Sequence, residues 1–65
     1  MKINGQKIEC ILAESGLTGE EAAKRSGISR QSFSTIKTRG TCKPETALKI
    51  ARGLGVNVAD IAEVN

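Results

Sequence analysis

Between Gly19 and Thr38 the chain reads GEEAAKRSGISRQSFSTIKT, and this run restricts the possible folds more than any other. Two short helices joined by a tight turn account for it. Ala23 is the small residue that a close helix crossing needs, and Gly27 tolerates the positive φ of a sharp turn without steric cost. Ile28, Phe33 and Ile36 then anchor the second of the two helices and leave its other side chains free to meet a partner.

The rest of the chain extends this pattern into an all-α domain. Its 65 residues make one small domain, 1–65, with a modest core and a stability of roughly a few kcal/mol. Phe33 is the sole aromatic residue, so the core must come from Ile, Leu, Val and Ala, which favours closely packed helices. Asn4 caps a first helix running to about Ser15, with Ile8, Ile11 and Leu12 on one face and Gly16 as its stop. Thr18 and Glu21 form a capping box that opens the second helix, which ends at Ser26-Gly27. Ser29 caps the third, and Ile28 and Phe33 stand at the two positions of a hydrophobic staple.

Thr38 to Lys43 then read as a polar loop. Pro44 opens a fourth helix with Ala47, Leu48, Ala51 and Leu54 inward, weakened near its end by Gly53 and stopped by Gly55. Asn57 is expected to cap a short fifth helix, with Val56 and Ile61 at staple spacing and Asp60 in the first turn.

Charge is unevenly distributed. The net charge of +3 is mild, but Lys24, Arg25, Arg30, Lys37, Arg39 and Lys43 lie between Ala22 and Pro44 with no acid among them. All seven acids fall outside that window. Such segregation implies a surface that faces a polyanion, although a run of this kind standing alone also suits a solvated face. No signal peptide or transmembrane run is present, and Cys10 and Cys42 read as isolated reduced thiols of a cytoplasmic protein. With no His and no metal-ligand spacing, no cofactor or metal is expected. The absence of a phosphate-cradling loop or a spaced carboxylate pair argues against an enzyme.

The order and spacing of several pieces resemble the lambda-repressor-like, or Xre-type, family of five-helix DNA-binding domains with a helix-turn-helix. These pieces are Leu17-Thr18 with Glu20-Glu21-Ala22-Ala23, Gly27-Ile28-Ser29-Arg30, Gly40 and Pro44, and Lys49-Ile50-Ala51 through Leu54-Gly55-Val56, followed by Asn57-Val58 and Ile61. The resemblance spans about Ile8 to Ile61. Three departures stand out. Gly19 occupies a position where the family often has a Gln that reaches a phosphate. Lys37-Thr38-Arg39-Gly40 replaces a shorter run that begins with an acid. Ala22 and Ser26 are smaller or more polar than is usual on the inner face of the second helix.

The resemblance implies a sequence-specific regulator of transcription that binds double-stranded DNA, of the phage or mobile-element repressor type. An antitoxin-like module that binds a partner and autoregulates through DNA is the alternative. Arg30, Gln31, Ser34 and Thr35 match positions that approach base edges. Their chemistry agrees, since Arg pairs with guanine, Gln with adenine and a Thr methyl with the thymine methyl. Read without the family, Arg30 and Gln31 could simply begin a solvated helix.

Thr18, Gly19, Ser29, Ser32, Lys37, Thr38, Arg39, Thr41 and Lys43 are the expected phosphate contacts. Lys24 and Arg25 either join them or solvate the back of the second helix. Val58, Ile61, Ala62 and Val64 are expected to form the contact of a weak homodimer that DNA strengthens. No membrane and no small-molecule ligand is expected as a partner.

Overall fold

The computed structural model describes residues 1–63. Four α-helices follow one another: α1 Gly5–Ser15, α2 Gly19–Ser26, α3 Arg30–Arg39 and α4 Pro44–Leu54, with a single 3-10 turn at Val58–Asp60. Local chemistry sets most of these boundaries. The Asn4 side chain accepts from the Gln6 and Lys7 amides, and Ser29 accepts from the Ser32 amide. Thr18 and Glu21 exchange the reciprocal bonds of a capping box, at 3.1 Å each. The Thr18 amide holds the exposed Glu21 carboxylate below its ordinary titration range. At the turn between α2 and α3, Gly27 has φ of +73°, a conformation that costs an L side chain about 1–2 kcal/mol.

The most extensive seam lies between α2 and α4. Ala22, Ala23 and Ser26 of α2 are buried, as are Ala47, Ile50, Ala51, Gly53 and Leu54 of α4. Small residues on both sides let the two backbones approach. A Cβ built on Gly53 would fall 2.7 Å from the Ser26 backbone nitrogen and 2.8 Å from its Cα. Buried Ser26 is satisfied by donating to the Ala22 carbonyl at 2.7 Å. Gly53 is therefore a packing residue, where its helix propensity alone marks it as a weak point. Phe33 and Ile36 of α3, Ile8 and Leu12 of α1, Ile3 and Ile61 complete the core.

Four expectations need correction. The fifth helix is only the 3-10 turn: Asp60 accepts from the Asn57 amide, and the Ile61 carbonyl takes the Asn4 N–H instead of one further along its own segment. Helix α3 runs to Arg39, so Thr38 and Arg39 belong to its last turn and not to a loop. Leu48 is 43% exposed while Ile50 is buried, because residues 47, 50, 51 and 54 form the inward stripe.

The fourth correction concerns the first residues. Ile3 is 2% exposed, and residues 1–4 are stitched between the segment after α3 and the segment after the 3-10 turn. Antiparallel bridges join Lys2 to Thr41 and Ile3 to Ala62. This seam covers Ile61, which is 0% exposed and so cannot be the dimer contact that its apolar spacing implies. Val58 and Ala62 are half-buried, and Val64 lies outside the described residues.

Candidate nucleic-acid interface

Helix α3 carries two kinds of side chain. Phe33 and Ile36, three apart, point into the core, whereas Arg30, Gln31, Ser34 and Thr35 are exposed. A groove runs along each side of the exposed face. On the α2 side the lining includes Thr18, Gly19, Arg30, Phe33, Ser34 and Lys37. On the α4 side it includes Ile28, Gln31, Ser32, Thr35, Ile36 and Thr46. The helix stands between two depressions, with Arg30 and Ser34 along one edge and Gln31 and Thr35 along the other. Among the described residues, none of these four side chains is hydrogen-bonded to another. Their donors and acceptors are available to a partner. An α-helix with side chains is about 10–12 Å across, close to the roughly 12 Å width of the B-DNA major groove.

The expected phosphate contacts surround this face. Thr18 caps α2 and Gly19 is its first residue, so the amide-bearing start of α2 opens beside Arg30 and Ser34. Ser29 is the cap of α3, and its hydroxyl both accepts from the Ser32 amide and donates to Ser32 Oγ at 2.9 Å. That leaves Ser32 as the member of the pair with a spare hydroxyl donor. The Thr38 hydroxyl donates to the Ser34 carbonyl at 3.0 Å, which commits its proton within α3. Arg39, Thr41 and Lys43 are exposed, and Arg39 and Lys43 are without an ion-pair partner among the described residues. Lys37 differs: its ammonium is paired with Glu9 of α1 and lies over the Phe33 ring.

The segment that carries Thr41 and Lys43 is held in place from the other end of the chain. Ile3 donates to the Gly40 carbonyl at 2.8 Å and Cys42 donates to the Met1 carbonyl at 3.1 Å. In an antiparallel bridge the opposed side chains share a face, so the exposed Lys2 stands beside Thr41. Lys2 is thus a cation of this surface that spacing along the chain does not reveal. Folding also returns acids to its edges: Glu20 lines the groove on the α2 side, and Glu9 and Glu63 line a depression near the start of α1. Segregation of charge in the sequence is therefore only partly kept in space.

Cys10 is exposed and Cys42 half-buried, both are free thiols, and burial pushes the Cys42 thiol up. Among the described residues no group of three or more His, Cys, Asp or Glu could hold a metal ion, and no helix is long and apolar enough to cross a membrane.

Residues 13–64, from the last turns of α1 through the 3-10 turn, match the family model described as a helix-turn-helix domain. The match is consistent with the lambda-repressor-like resemblance. No curated protein and no solved structure matches the chain.

Proposed function

The chain belongs to the helix-turn-helix domain family, and from that premise we propose a sequence-specific regulator of transcription that places α3 in the major groove of double-stranded DNA. A repressor of the phage or mobile-element type is the form that such a small domain best suits. The observation that carries the reading is the exposed and uncommitted row of Arg30, Gln31, Ser34 and Thr35 on a helix that is otherwise anchored by Phe33 and Ile36.

In this reading Arg30 donates to guanine O6 and N7, Gln31 pairs with adenine, and Ser34 and Thr35 meet the next bases. Thr18, Gly19, Ser29, Ser32, Thr38, Arg39, Thr41 and Lys43 lie against the phosphates on either side. Two copies on a near-palindrome complete the site. The domain measures 29 × 21 × 18 Å, whereas half-sites one helical turn apart are separated by about 34 Å. Neighbouring copies then share little surface, which supports a weak dimer held mainly by DNA. Of the apolar residues expected at that contact, Val58 and Ala62 keep partly open surface.

Readout and anchoring should separate by mutation. Arg30→Ala and Gln31→Ala should each cost about 1–3 kcal/mol on the preferred duplex and relax discrimination at one base pair. Arg39→Ala and Lys43→Ala should instead weaken all duplexes about equally and flatten the salt dependence by about one unit. Fluorescence anisotropy titrations on matched and mismatched duplexes make the comparison. Identical behaviour of the two groups would show that α3 is not the reader.

A further inference from the structure

Lys37 differs from the other cations of this surface in being held on two sides, by Glu9 and by the Phe33 ring, beside the bare backbone of Gly19. Its ammonium bonds the Glu9 carboxylate, lies 5.4 Å from the Phe33 ring centroid, and is 3.9 Å from where a Cβ on Gly19 would be. The backbone fixes this meeting of α1 and α3. A Cβ on Gly5 would fall 2.5 Å from the Lys37 carbonyl oxygen, so the start of α1 is seated directly on the Lys37 peptide. Together with Ser34, Lys37 forms the wall shared by two adjoining depressions. One is lined by Thr18, Gly19, Arg30 and Glu20 and the other by Gln6, Thr38, Glu9 and Glu63. A phosphate strand following this edge of α3 would pass over the Lys37 ammonium.

The two partners are unequally placed. The Lys37 side chain is 22% exposed, whereas that of Glu9 is 61% exposed. An exposed carboxylate regains water when its partner leaves, and ion pairs of this kind are weak. A phosphodiester oxygen can therefore compete for the ammonium. While the pair is closed, this wall presents no net charge to the phosphates, despite the lysine at its centre.

Resting on the DNA-binding reading above, we infer that Glu9 is a positioning residue that attenuates DNA binding by competing with one backbone phosphate for the Lys37 ammonium. Its side chain need not touch DNA. It sets how much of the Lys37 charge is offered beside the start of α2.

Scanning the preferred duplex with single methylphosphonates, each of which neutralises one phosphate, tests this. Glu9→Gln should bind intact duplex about two- to fivefold more tightly and steepen the salt dependence by about one unit. One phosphate should become newly sensitive to neutralisation in that variant. In Glu9→Gln combined with Lys37→Met the new sensitivity should vanish, because no ammonium remains to be released. Thermal midpoints of all variants separate this effect from lost tethering of α1 to α3. Profiles that are the same for the parent protein and for Glu9→Gln, or a new sensitivity that survives Lys37→Met, would overturn the inference while leaving DNA binding intact. Failure of the unmodified protein to bind any duplex would overturn the DNA-binding reading and this inference together.

Discussion

Replacing Gly53 with alanine should lower the thermal midpoint by about 8–16 °C, and valine at the same position should prevent stable folding. Two effects of opposite sign compete. Ala is a better helix former than Gly by about 1 kcal/mol, and on that ground alone the substitution should stabilise α4. Against this, the new methyl would meet the Ser26 backbone at 2.7–2.8 Å. That obstacle is the helix itself, and it cannot swing aside as the end of a long side chain can. Helices α2 and α4 must therefore separate, which loosens the contacts of Ala22, Ala23, Ala47, Ile50 and Ala51 as well.

Overpacking of this kind costs about 1–3 kcal/mol and occasionally more. The steric term wins because it acts on the seam between α2 and α4, which holds half of the core residues. Because the obstacle is backbone, the cost lies at the upper end, about 3 kcal/mol. Less the gain of about 1 kcal/mol in propensity, the net loss is about 2 kcal/mol, and at about 4–8 °C per kcal/mol for a domain of this size it gives the stated range. Valine is larger and adds a branched side chain at the same point. Thermal unfolding followed by circular dichroism measures both, with Arg52→Ala on the exposed side of α4 as the control, expected within about 0.5 kcal/mol of the parent. A Gly53→Ala protein that melts higher than the parent would mean that propensity decides and that the α2–α4 seam is looser than described.

Affinity for duplex DNA should fall by about 250- to 1,000-fold between 50 and 200 mM salt, with about 4–6 phosphates neutralised per copy and a slope of log affinity against log salt of about −4 to −5. Arg30, Arg39 and Lys43 are exposed on or beside α3 and Lys2 is brought next to Thr41, whereas the charge of Lys37 is offset by Glu9. Each cation that meets a phosphate releases a condensed counterion, so the effect is entropic and independent of base sequence. Binding measured at several salt concentrations gives the slope directly. A slope near zero would mean that the basic residues between Lys24 and Lys43 form a solvated face that meets no polyanion.

What could be read in the sequence follows from how far apart the interacting residues lie. The caps at Asn4, Thr18 and Ser29 are legible because a side chain there bonds an amide two or three residues on, and the same holds for the Thr18–Glu21 box. Gly16, Gly27 and Gly55 mark helix ends because their left-handed conformation is a local requirement. The exposed row on α3 follows from the spacing of Phe33 and Ile36.

Contacts between distant segments leave no such signature. Gly53 reads as a flaw in a helix until Ser26 is placed against it. Leu48 and Ile50 suit inward stripes of the same period, and only the position of α2 decides between them. Ile3 has no periodic neighbours, so nothing in its surroundings marks it as core. The Ile61 face looks unpartnered until residues 1–4 cover it, and this error placed a buried residue at a dimer contact. Lys37 looks like one more cation of a basic run, because Glu9 stands on another helix.

The central claim is that α3 reads base sequence. It is tested most directly by selecting bound duplexes from a pool randomised over about two helical turns, using the unaltered protein and its Arg30→Ala and Gln31→Ala variants side by side. An enriched near-palindromic motif that contains G and A at fixed positions is the expected result. Each variant should lose preference at a different base pair and keep the remainder. A pool that shows no enrichment, or a motif that both substitutions leave unchanged, would contradict it.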